Sequence, residues 1–230
     1  MLALLYDVHG NLPALEAVVE DARAQGADSF LLGGDYALFG GWPVETVELL
    51  EGLPATWIRG NGERWAARPG EAPDDQVVQG AIAWCRAALG EERTARLATL
   101  PASAPAGEEA RAWHGSPASD VESFLPEPSA GDSLLLEAVG DRRLYFGHTH
   151  LPFARLDEAS GIELVNPGSV GMPFDGNPRA AYALVHDEGS VEHRRVHYDH
   201  ARAARKVREV GEPWSEVVAT RLERASFVAG

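Results

Sequence analysis

The 230-residue chain has a formal charge of −15, which excludes a protein that grips nucleic acid through a basic surface. A nucleotide substrate is not excluded, because bound cations can reverse the local field. Hydrophobic content of 45% and charged content of 24% fit one globular domain spanning residues 1–230, and the single cysteine, Cys85, rules out an intrachain disulfide.

No run approaches the roughly 20 apolar residues of a membrane span, and residues 1–6 are too short and lack the basic start of a signal peptide. A soluble, cytoplasmic protein is expected, with no membrane partner. Residues 2–6 predict a strand that delivers Asp7 and His9. Asn11 is placed to cap the following helix, Pro13 suits its first turn, and Leu12, Leu15, Val18 and Val19 form its apolar stripe up to Gly26. Residues 29–32 predict a buried strand, after which Gly33 and Gly34 let the backbone turn and present Asp35. In open α/β sheets ligands bind at this end of the strands. Pro43 opens a short helix bearing Val44, Val47 and Leu50, and Pro54 ends it. Residues 56–58 form a third strand leading to Arg59, Gly60, Asn61, Gly62 and Glu63. Strands alternating with short helices imply a largely parallel sheet in this part.

The middle has a different texture. Residues 66–75, rich in proline, glycine and acids, read as a loop. Val78, Ile82, Cys85 and Leu89 then repeat at helical spacing, Gly90 interrupts, and residues 91–100 give a second helix stopped by Pro101. This is a helical insertion at about 64–101, expected to pack over or beside the site and to limit substrate size. Cys85 lies on the apolar stripe and reads as structural. Residues 111–113 form a short strand ending in His114, Asp132 is expected to cap a helix through residue 139, and residues 144–146 lead into His148 and His150. Strands follow at 153–156, 162–165, 180–186 and 191–198, with a hairpin turn at 188–190, so this half is expected to be antiparallel. Residues 201–209 and 214–224 are closing helices. His186, His193, His197 and His200 fall in these late strands and turns, where solvated or structural roles are expected.

Five strand ends carry metal-type donors. Asp7, His9, Asp35, Asn61, His114, His148 and His150 supply carboxylate, amide and imidazole groups and no thiolate, a set that suits Mn²⁺, Fe or Zn²⁺. Any one of them alone reads as a hydrogen-bonded loop residue, and Asn11 reads as a cap. It is their joint recurrence at strand ends that points to a metal centre.

Asp-x-His at 7–9, Gly-Asp at 34–35, Gly-Asn-x-Glu at 60–63, His-Gly at 114–115 and Gly-His-x-His at 147–150 resemble the calcineurin-like metallophosphoesterase superfamily. The loop Asn166-Pro167-Gly168-Ser169-Val170 also resembles that of its small bacterial members. The resemblance implies a four-layer α/β/β/α sandwich of two mixed sheets flanked by helices. It implies two divalent cations, Mn²⁺ first among them. One would be held by Asp7, His9 and His150, the other by Asn61, His114 and His148, with Asp35 bridging. Asp35, Asn61 and His114 would then act catalytically, and Arg59 would contact phosphate through its planar fork.

This chain departs from the superfamily at Gly62, where a histidine usually protonates the leaving oxygen, so Glu63 loses the partner it would orient. Some small bacterial members of the superfamily that lack that histidine act as phosphodiesterases. A phosphodiesterase acting on a small nucleotide-like diester is therefore the leading expectation. The alternatives are a phosphomonoesterase or dinucleoside polyphosphate hydrolase of the same superfamily, and a non-catalytic metal-binding scaffold. The partner expected is a small phosphate ester, without stable nucleic-acid binding, and a homo-oligomer is compatible.

Overall fold

Successive residues of β1 (Leu2–Leu5) point to opposite sides, and both sides are apolar. Ala3 and Leu5 enter a core shared with helices, whereas Leu4 and the following Tyr6 enter a second core between two sheets. The same alternation runs through β2 (Ser29–Leu32), where Phe30 and Leu32 face helices and Leu31 faces the other sheet. Strands covered on both faces are central strands. The structure, a computed structural model, describes residues 1–137 and 139–229.

The first sheet adds β3 (Ala55–Trp57) in parallel beside β2 and the hairpin of β9 (Ala180–Val185) and β10 (Val191–Val196) antiparallel beside β1. Its order is β10-β9-β1-β2-β3. The second sheet comprises β4 (Ser103–Pro105), β5 (Ala110–Trp113), β6 (Arg143–Tyr145), β7 (Phe153–Asp157) and β8 (Ile162–Asn166) in the order β4-β5-β6-β8-β7. Here β5, β6 and β8 are parallel, and β4 and β7 form antiparallel edges. Both sheets are thus five-stranded and mixed.

Six helices cover the outer face of the first sheet: α1 (Leu12–Ala24), α2 (Pro43–Glu51), α3 (Asn61–Ala67), α4 (Gln76–Ala98), α6 (His200–Arg208) and α7 (Pro213–Arg224). The outer face of the second sheet is covered by Phe124 and Leu136, around the single turn α5 (Asp132–Leu135). The layering is the expected helix–sheet–sheet–helix sandwich, with its fourth layer reduced to a turn and a loop. No helix among the described residues is long and apolar enough to cross a membrane.

Three elements depart from the reading of the sequence. The late strands do not form an antiparallel half of their own. β9 and β10 extend the first sheet, while β7 and β8 complete the second, where β8 runs parallel to β6. Asn61–Ala67 is helical rather than loop, because the Glu63 carboxylate reaches back to accept a hydrogen bond from the Gly60 N–H at 2.9 Å. The helix expected from Asp132 stops after Leu135, and Asp132 lies within it, its carboxylate bound to Ser129 and Arg155. Residue 138, within the expected span, lies outside the described residues.

Within residues 64–101, Gln76–Ala98 is helical with a break at Gly90, whose φ of 77° only glycine adopts without strain. It is not a detachable cover. Val77, Ala81, Ile82, Cys85, Leu89 and Leu97 of α4 share the first core with Trp214, Val218 and Leu222 of α7. Burial, with Glu63 nearby, pushes the Cys85 thiol up to about 12, so it is an inert apolar group of that core.

Candidate metal centre

The parallel strands of both sheets end on the same rim of the sandwich, and the donors occupy the residues just beyond those ends. Asp7 and His9 follow β1, Asp35 follows β2, Asn61 follows β3, His114 follows β5, and His148 and His150 follow β6. Two groups of buried donors have their ligand atoms within 4.8 Å of one another: Asp7, His9 and His150, and Asp7, Asp35 and His114. Asn61 and His148 join the second group through contacts of the Asn61 amide, 3.0 Å from His114 Nε2 and 2.9 Å from His148 Nδ1. The chain therefore brings together all seven donors.

Backbone carbonyls fix the ring orientations. Nδ1–H of His9 donates to the Leu38 carbonyl at 3.0 Å, that of His150 to Met172 at 2.5 Å, and that of His114 to Gly33 at 2.8 Å. A carbonyl can only accept, so each ring carries its proton on Nδ1 and turns the lone pair of Nε2 into the site. The Nε2 atoms of His9 and His150 consequently face each other at 3.1 Å, two acceptors in the place of a hydrogen bond. Asp7 Oδ1 lies 3.5 Å from His150 Nε2 and is buried with no hydrogen-bond partner. Lone pairs that converge on one point with no proton between them fit a cation.

Asn61 has the same character. The amide atom near His114 and His148 also lies 3.1 Å from the Asp120 carbonyl, so the oxygen placed there meets only acceptors. Without a cation the amide nitrogen satisfies that position, and with one the oxygen does. Asp35 spans the two groups, with Oδ2 at 3.9 Å from His9 Nε2 and Oδ1 at 3.6 Å from His114 Nε2.

Titration follows from crowding like groups in a dry site. Burial, with His150 beside it, pushes His9 down to about 3, and burial with His114 nearby pushes His148 down to about 4. Both rings are therefore neutral donors. Burial acts to raise the Asp7 carboxyl, but His150, His114 and His9 outweigh it and hold it well below the usual range. Burial pushes Asp35 up to about 7 against the pull of His114, with Glu63 and Asp7 adding to the rise. For His114, burial acts downward, yet Asp35 and Asp7 raise it overall. The carboxylates that favour a proton on His114 equally favour a metal ion in its place.

The loops meet this closely because two residues lack side chains. A Cβ on Gly34, at φ 95°, would stand 2.5 Å from the Gly60 nitrogen, and a Cβ on Gly60 would stand 2.3 Å from Asp35 Oδ1. Five donors, Asp7, His9, Asp35, His148 and His150, themselves have φ between 48° and 65°. Non-glycine residues rarely adopt this left-handed region, and its cost is typically tolerated where function requires it.

Several residues support the site from behind the donors. Glu63 is not left without a partner, because its carboxylate accepts the N–H groups of Asp35, Tyr36 and Gly60 at 2.8–2.9 Å. The loop at 166–172 braces the site. Ser169 Oγ donates to the Asp7 carbonyl at 2.7 Å, Asn166 donates to the Gly147 carbonyl at 3.2 Å, and Met172 anchors His150. Only the Asn-Pro-Gly-Ser turn signalled this brace in advance.

Arg59 is placed differently from the expectation. Arg59 lies two residues past the end of β3, near enough for its charge to act on Asp120. There it donates to the Ala98 carbonyl at 3.4 Å, and it does not line the cavity above the donors. Arg59→Ala is expected to change kcat/KM by less than about threefold, whereas a loss of about 10²-fold would return this side chain to the phosphate.

A two-sheet sandwich with this donor set on its rim is the architecture of a metal-dependent phosphoric ester hydrolase. Residues 1–190 match the calcineurin-like phosphoesterase superfamily domain, and the chain belongs to that superfamily. Among curated proteins it is 29% identical over 231 residues to MJ0912 of Methanocaldococcus jannaschii, covering 90% of this chain and 91% of that protein. It is 28% identical over 197 residues to phosphodiesterase YfcE of Escherichia coli K12, covering 82% and 89%. A crystal structure of a metallophosphoesterase from Sphaerobacter thermophilus superposes with a TM-score of 0.82 at 31% identity, over 97% of this chain and 98% of that one. PH1004 from Pyrococcus horikoshii shares the fold, with a TM-score of 0.84 at 22% identity over 99% and 100%.

Proposed function

We propose that the chain is a binuclear metal-dependent phosphodiesterase acting on a small nucleotide-like diester. The observation that carries this reading is Asp35, whose two oxygens face the two donor groups. Asp7, His9 and His150 would hold one cation, and Asn61, His114 and His148 the other, with Asp35 between them. Divalent cations held there supply Lewis acidity at the phosphoryl oxygens and lower the pKa of the attacking water. The carbonyls of Leu38, Gly33 and Met172 keep three imidazoles oriented throughout, and the Gly62 N–H holds Asp35 Oδ1 at 2.7 Å.

The diester preference rests on Gly62, which offers no imidazole to protonate a leaving group. General acid catalysis is typically worth about 10²–10⁴ in rate, a loss that falls most on monoesters with poor leaving groups. The similarity to phosphodiesterase YfcE supports the same class. Gly62 is helical, so backbone strain does not bar a side chain there, but a Cβ would meet Asp35 Oδ1 at 2.8 Å. The native protein, rather than a Gly62→His variant, therefore carries the test. With Mn²⁺ added, it is expected to hydrolyse bis(p-nitrophenyl) phosphate with a higher kcat/KM than p-nitrophenyl phosphate. A preference for the monoester would overturn the assignment. Loss of activity on chelation, restored by Mn²⁺, is the companion measurement, and full activity in the metal-free protein would remove the binuclear reading.

A further inference from the structure

The cavity above the donors measures about 880 Å³, and one wall comes from residues beyond the matched family domain. After α7 the chain turns at Ala225, in the left-handed region with φ 48°, and folds back so that Phe227 and Ala229 line the cavity together with Arg221. The Ala225 carbonyl accepts a hydrogen bond from the Gly176 N–H at 2.8 Å, which ties this turn to the loop that carries Phe174.

Arg221 is the notable group of that wall. It is only 7% exposed, its Nε–H donates to the Val228 carbonyl at 2.8 Å, and its guanidinium lies 4.5 Å from the Phe227 ring centre. A guanidinium has five N–H donors, and those of its two terminal nitrogens have no acceptor among the described residues. It forms no ion pair within 4.0 Å among the described residues. The acid that acts on it is Asp75, whose Oδ1 already caps α4 by accepting from Val77 and Val78. Among the described residues this buried cation has no ion-pair partner, and a guanidinium that lines the cavity with unused donors suits a phosphate. The walls beside it are aromatic: Phe174, stacked on His150 at 4.4 Å, with Phe227 and Trp65.

We propose that Arg221 forms a second anion subsite in this cavity, selecting nucleotide-like diesters that carry a further phosphate besides the scissile one. The planar part of such a substrate would lie along the aromatic walls. This inference rests on the phosphodiesterase reading for its chemistry, but not for its binding.

The test compares the native protein with Arg221→Gln and Arg221→Lys, with Mn²⁺ present, on the dinucleotide TpT and on its 5′-phosphorylated form pTpT. One charge-assisted hydrogen bond implies a native preference for pTpT of roughly tenfold or more in kcat/KM. Arg221→Gln is expected to remove that preference chiefly through KM, and Arg221→Lys to keep part of it. Calorimetric titration with thymidine 3′,5′-bisphosphate and with thymidine 3′-monophosphate should show the same discrimination without turnover. A native protein that treats the two dinucleotides alike overturns the proposal. So does an Arg221→Gln variant that loses both equally, which would make Arg221 a tether for the Phe227 segment. If that variant does not fold, the native ratio and Arg221→Lys decide, and an unchanged preference in Arg221→Lys with native KM counts against the fork. If neither dinucleotide nor bis(p-nitrophenyl) phosphate is hydrolysed while the bisphosphate is still discriminated, the phosphodiesterase reading fails and the subsite stands.

Discussion

Asn in place of Asp35 is expected to lower diesterase kcat by about 10³-fold or more, equivalent to about 4 kcal/mol of transition-state stabilisation. The substitution is close to isosteric. Its amide oxygen can keep the hydrogen bond from the Gly62 N–H that Asp35 Oδ1 now accepts at 2.7 Å. The amide nitrogen then takes the position of Oδ2, turning two N–H donors towards His9 Nε2, 3.9 Å away. A formal charge facing both donor groups is replaced by a donor that competes with a cation. Metal content by elemental analysis should fall from two ions per chain to one or fewer, while the thermal transition of the metal-free protein stays within a few degrees. Normal metal content with retained turnover would exclude Asp35 as the bridge.

Glu63→Ala is expected to have the largest effect on stability. The carboxylate satisfies three backbone N–H groups, those of Asp35, Tyr36 and Gly60, at a residue only 4% exposed. Leaving a buried donor unpaired costs about 1–3 kcal/mol, so three together imply a loss of roughly 3–9 kcal/mol. Activity should fall as well, because this side chain, with the Gly62 N–H to Asp35 hydrogen bond, joins the loops after β2 and β3. Glu63→Gln should recover about half of the loss, since its oxygen can serve Asp35 and Gly60 while its amide nitrogen meets the Tyr36 N–H donor to donor. Urea unfolding of the three proteins measures the series. A Glu63→Ala variant within 1 kcal/mol of native would show that water replaces the carboxylate.

The candidate donors that the fold gathers could be picked out in the sequence because each lies just past an apolar run, usually beside a glycine, as in Gly34-Asp35 and Gly147-His148. The short continuous apolar runs at β1 and β2 identified buried strands for the same local reason. Sheet membership was not legible. The hairpin of β9 and β10 announces itself through its turn, but its pairing with β1 depends on contacts between residues such as Ala3 and Leu184, far apart in sequence. α3 was hidden because Gly60-Asn61-Gly62 reads as a turn until Glu63 is seen to satisfy the helix start. The Leu38, Gly33 and Met172 carbonyls left no trace, since every residue has one. Arg59 was singled out because it precedes a ligand loop, and its hydrogen bond to the Ala98 carbonyl, which depends on the packing of α4, could not be read from that adjacency. Arg221 entered the cavity from a helix whose sequence carries no signal of a site.

The left-handed backbone at Asp7, His9, Asp35, His148 and His150 bears on how this fold drifts under mutation. Glycine is at ease at such positions, and asparagine visits them more readily than most residues. A copy of the chain released from selection on its chemistry would therefore be drawn towards those residues at the very positions proposed to hold metal. It would become a more robust sandwich by ceasing to be a hydrolase. The donors are kept against the preference of their own backbone, so silent erosion of the centre needs no damage to the scaffold that surrounds it.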